Sequence, residues 1–144
     1  MNLAPEAVQL SRVMSQVTAP AFVLGAVSGF VNVSLGRMTS VVERIRSLNS
    51  IPDNDSSRIR LKSDIPRLER RVSLLTSATR LALASGVCTA LLIIVGFLFA
   101  FIGLQYIWGA AVLFLSALAL LGVALFRLSS EVGMGLSEAD HYRP

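Results

Sequence analysis

The chain has one cysteine, one histidine, one lysine and one tryptophan in 144 residues. Each scarcity removes a class of function. Cys88 alone cannot form an internal disulfide or a cysteine-based metal site. Its place inside an apolar run also makes a reactive thiolate costly. His141 alone cannot complete a transition-metal site. No paired carboxylates, nucleotide loop or nucleophile motif is found, so neither an enzyme nor a bound cofactor is expected.

The largest absence is of charge. From Leu81 to Phe126 there are 46 residues without Asp, Glu, Lys or Arg, closed by Arg80 and Arg127. One helix of that length would be about 69 Å long, over twice the ~30 Å hydrocarbon core of a bilayer. The run must fold back once. Gly103 to Trp108 marks the turn, because Gln105, Tyr106 and Trp108 suit the headgroup level. The predicted spans are 81–103 and 107–126.

A third apolar stretch lies between Arg12 and Arg37, with its core at Ala19–Leu35, and predicts a first span at 18–36. Pro20 is expected in the first helical turn, where its missing N–H does no harm. A cleaved signal peptide fits poorly, since Glu6 precedes the stretch while Arg37, Arg44 and Arg46 follow it. The fold class is therefore all-α: a polytopic membrane protein with three transmembrane helices in a single membrane domain, 1–144.

Residues 36–80 carry ten of the thirteen Lys/Arg. The positive-inside rule then gives an N-out/C-in topology, with 37–80 as a cytoplasmic helical extension and loop and 127–144 as a cytoplasmic tail. Met38, Val41, Val42, Ile45 and Leu48 recur at helical spacing, as do Leu61, Ile65, Leu68, Val72 and Leu75. Between them, 49–57 has loop composition, and Asp64 with Pro66 makes a helix start. These two stripes are expected to pack as an antiparallel pair or to dock neighbouring subunits. In residues 1–17, Leu10, Val13, Met14 and Val17 suggest an amphipathic helix lying on the outer interface.

The pI of about 10.2 does not point to nucleic acid, because the basic excess lies between apolar runs. Its expected partners are membrane lipids, anionic headgroups included, met by Arg37, Arg44, Arg46, Arg71 and Arg80. Small residues at Gly25, Gly29, Gly86 and Gly96 allow close helix approach, within one chain or between chains, and favour a homo-oligomer. Asn32, Ser85, Thr89 and Ser116 are candidate interhelical polar or pore residues. Asn32 in particular needs a partner, either Ser85 or Thr89 on the next helix or water. No span contains an ionisable group, which argues against a proton-coupled carrier.

The order of Leu10-Ser11-Arg12 through Ala19-Pro20-Ala21-Phe22, then Asn32 and Arg37, then Val42-Glu43-Arg44-Ile45-Arg46, resembles a family of small bacterial membrane proteins, domain of unknown function 2721. The likeness continues through Leu68-Glu69-Arg70-Arg71 and the apolar hairpin to Leu128-Ser129-Ser130-Glu131-Val132. It implies a multi-pass protein of the bacterial inner membrane and implies no activity. The topology is also similar, more loosely, to proton-channel subunits of the ExbB/TolQ type. Two readings follow: a non-enzymatic homo-oligomeric scaffold or accessory subunit, or a ring-forming channel or stator-like subunit. The topology itself is directly testable. A cysteine placed at Ser11 should react with an impermeant thiol reagent in intact cells, whereas reaction only after lysis would exclude three spans.

Overall fold

The computed structural model describes the backbone of residues 3–52, 59–103 and 107–141, and their side chains except at 3–6, 9, 10, 13, 107 and 136–141. The expected loop residues Asp53 to Ser57, the hairpin tip at Gln105 and Tyr106, and the side chains of Leu10, Val13, Glu138, Asp140 and His141 lie outside these.

Three long helices make the fold: α1 (Leu3–Asn49), α2 (Ile65–Ile102) and α3 (Ile107–His141), with a short 3-10 segment, Ile59–Asp64, leading into α2. Each is long and apolar enough to cross a membrane, with mean hydropathy reaching 1.5 in α1 and 2.5 in the other two. Asp64 stands at the N-cap position of α2 without a side-chain capping bond, and Pro66 lies in the first turn, where no N–H is needed. At the far end Gly103 closes α2 with φ of 75°, a left-handed conformation that glycine adopts without strain. That residue lets the chain reverse into α3.

Three expectations are corrected here. The N-terminal tail is not a separate interfacial helix: α1 is continuous for 47 residues, about 70 Å. Pro20 accordingly sits inside a helix and not in its first turn. It deprives the carbonyl of Gln16 of its intrahelical donor, a loss that membrane helices tolerate. The chain after Phe126, expected as a tail beyond the third span, continues α3 to His141. The arginine-rich extension is thus built from three helices where a pair was expected.

The packing follows a seven-residue rhythm. Among the described residues of α1, Pro20, Val27, Ser34, Val41 and Leu48 are buried at intervals of seven, with Phe30 buried beside them. On α2 two such stripes run side by side: Leu68, Leu75, Ala82 and Thr89, then Ala78, Ser85 and Leu92, with the part-buried Arg71 at the head of the second. On α3 the stripe is Ala117, Ala124 and Glu131. A strict heptad is shorter than two helical turns of 3.6 residues, so such seams wind left-handedly. Helix α2 is central, packing extensively on both neighbours, while α1 and α3 barely meet.

Residue size changes along these seams. In the apolar half Phe30 packs on Ala78, Ala82 and Ala124, so the backbones approach closely. In the arginine-rich half Val41, Leu48, Leu68 and Leu75 form a core flanked by Met38, Ile45, Ile51, Leu61, Ile65 and Val72. Lipid offers no hydrophobic drive for helices to associate, and small residues let dispersion do it; in water, large apolar side chains drive association themselves. Because Ala82 is fully buried, Ala82→Leu should overpack the seam and cost about 1–3 kcal/mol in SDS-titrated unfolding from mixed micelles. Leu83→Ala, on the exposed face, should stay within about 0.5 kcal/mol of wild type.

Candidate functional site

The heptad stripe of α3 passes from Ala117 and Ala124 to Glu131, and all three are fully buried. A carboxylate on an apolar seam must be neutralised and hydrogen-bonded, or its burial costs several kcal/mol. Arginines from both other helices do this. The Nε–H of Arg37 on α1 donates to Glu131 Oε2 at 2.9 Å. On α2, Arg71 donates to Oε1 through Nε at 2.9 Å and through Nη2 at 2.8 Å. One carboxylate thus joins all three helices.

The surroundings are shaped to hold this bridge. A Cβ at Gly135 would stand 3.1 Å from Arg71 Nη2, so a larger residue there would press on the guanidinium. One turn earlier on α2, Arg67 Nη2 donates to the carbonyl of Met134 at 3.4 Å. The arginine side chains differ in exposure: 15% for Arg71 and 37% for Arg37, against 0% for Glu131. Arg71 is sealed between α2 and α3, while Arg37 spans the boundary between core and surroundings.

Two of the five arginines expected at lipid headgroups are therefore committed to Glu131. Arg44, Arg46 and Arg80 are exposed. The polar residues of the spans divide differently from expectation. Ser85 donates to the carbonyl of Ala117 across the α2–α3 seam at 2.7 Å, and Thr89 donates to the carbonyl of Ser85 at 2.8 Å. Both hydroxyls are buried and occupied. Ser116 is exposed and bonds its own helix at Val112. Asn32 is exposed on α1, turned away from Ser85 and Thr89, so the expected bond between these helices does not form. The buried polar residue of that helix is Ser34, whose hydroxyl has no partner among the described residues.

The glycines divide too. Gly86 faces α1, where an added Cβ would stand 3.2 Å from Val27 Cγ1, so this glycine serves packing within the chain. At Gly25, Gly29, Gly36 and Gly96 an added Cβ would meet nothing. Among the described residues no group of three or more His, Cys, Asp and Glu could hold a metal ion.

Glu131 was not legible as a site from charge spacing alone, because it follows Arg127 and reads as part of a polar tail. Its signal was periodicity. Glu131 stands seven residues after Ala124, which stands seven after Ala117, so the small-residue stripe of α3 runs straight into it.

A model of the family described as "Protein of unknown function (DUF2721)" matches residues 17–140, and the chain belongs to that family. No curated protein and no solved structure matches it. Glu131→Gln leaves two arginines facing a neutral amide at a buried site, and should lower stability by about 2–4 kcal/mol in the same unfolding titration. Glu69→Gln, at an exposed position, should change it by less than about 0.5 kcal/mol.

Proposed function

We propose that this member of the DUF2721 family is a non-enzymatic, homo-oligomeric scaffold or accessory subunit of the bacterial inner membrane. Its N-terminus lies outside and its arginine-rich end stands in the cytoplasm, as the distribution of Lys and Arg favours.

The observation that carries this reading is the outward face of α1. Gly25, Ser28, Gly29, Asn32 and Gly36 are all exposed there. They fall within one stripe at spacings of three and four residues, in the most apolar part of the helix. A face of glycines gives a monomer nothing, since it adds no packing and lowers helix propensity. It does admit another helix to close range. Asn32 adds a polar requirement: an amide facing hydrocarbon needs a donor and an acceptor, and a second Asn32 supplies both. A second copy meeting the first along this face satisfies both demands.

The channel reading has less support. Ser85 and Thr89, two of its four lumen candidates, spend their hydroxyls on carbonyls inside the chain. That leaves Ser116 and Asn32 to line any pore.

The test is a mass measurement of the full chain in nanodiscs. Wild type should contain more than one copy. Gly29→Leu should yield single copies with an unchanged melting temperature, because nothing in its own chain stands near that position. Asn32→Leu should also weaken assembly while leaving the fold intact. A monomeric wild type would remove the scaffold reading, and ion flux through wild-type liposomes would favour the channel.

A further inference from the structure

Arg37 is half-exposed and held along one edge by a buried carboxylate. Its Nε–H is fixed on Glu131 Oε2 at 2.9 Å, and Glu131 is itself fixed by Arg71. The guanidinium plane is thereby oriented. Its two Nη groups have no protein partner among the described residues, and the side chain is 37% exposed. Arg44, Arg46 and Arg80 are exposed as well, but no side-chain bond among the described residues holds them.

The depth of this group narrows what can meet it. Arg37 ends the charge-free stretch of α1, and Arg127 ends that of α3. Glu131 lies four residues past Arg127, about 6 Å further along the helix. Headgroups occupy about 5–7 Å on each side of the hydrocarbon core, so the bridge stands at the level of lipid phosphates. A planar fork of N–H donors fits two phosphate oxygens at once. Orientation by Glu131 removes most of the entropy a free arginine would lose on binding.

We propose that Arg37 is a specific site for the phosphodiester of an anionic phospholipid, with Glu131 and Arg71 as the residues that position it. The surrounding positive charge of Arg44 and Arg80 raises the local concentration of such lipids. The fork at Arg37 holds the phosphate, and the net positive charge of two arginines on one carboxylate disfavours a lipid that carries its own cation.

Native mass spectrometry of the full chain in neutral detergent tests this, with phosphatidylglycerol, phosphatidylcholine and inorganic phosphate as the added probes. Wild type should retain phosphatidylglycerol in preference to phosphatidylcholine. Arg37→Gln should weaken that retention about tenfold or more, as the loss of charge-assisted hydrogen bonds implies. Arg37→Lys keeps the charge and a bond to Glu131 but loses the fork; it should melt near wild type and still lose the lipid. Arg44→Gln should change retention by less than about threefold, as a screened, unheld charge does. Equal losses at Arg37 and Arg44, wild-type retention by Arg37→Lys, or equal retention of phosphatidylcholine would overturn the proposal. Displacement of the lipid by equimolar inorganic phosphate would assign the fork to a free anion instead.

Discussion

The carboxylate of Glu131 is the point on which the three helices depend. It is fully buried, it lies beyond the apolar stretch of α3, and it accepts hydrogen bonds from arginines on both other helices. Helices α1 and α3 otherwise scarcely touch. Without the bridge, α1 would rest on α2 alone at this level. The desolvation of such a group offsets much of its Coulombic gain, so its main contribution is not raw stability. It sets register. Seams of Ala and Ser are smooth enough to slide by a heptad, and a single carboxylate with fixed partners permits one alignment only.

That constraint explains the division of labour along the molecule. On the apolar side of the bridge Phe30 packs among small residues, and Ser85 bonds across to the carbonyl of Ala117. On the other side Leu, Val and Ile form a core that includes the turn after α1 and the 3-10 segment. The charged cluster stands between these two kinds of packing. Leu128 packs into both clusters, one turn before Glu131 on the same helix.

Much of this architecture can be read from the chain. The absence of charge from Leu81 to Phe126 dictates a hairpin, and Gly103 marks where it closes. The helical stripes at Met38–Leu48 and Leu61–Leu75 recur in the observed core, except for Val42, which is exposed. Reasoning from charge failed at helix ends and at polar faces. Polar composition after Phe126 suggested a tail, yet heptad periodicity carries α3 on to His141. Asn32 was expected to face inward because amides avoid hydrocarbon; the inward position on that turn belongs to Ser34, four turns' worth of heptad logic from Pro20 through Val27 placing it there. Arg37 and Arg71 looked like surface charges until their shared partner was located.

A double-mutant cycle between Arg37→Gln and Glu131→Gln, read by unfolding of the full chain in mixed micelles, tests the central claim most directly. If the bridge joins α1 to α3, the two losses should fall short of additive by about 1–3 kcal/mol, the coupling of a partly buried charged pair. Losses that add within about 0.5 kcal/mol would contradict it, because the two residues would then act on stability independently.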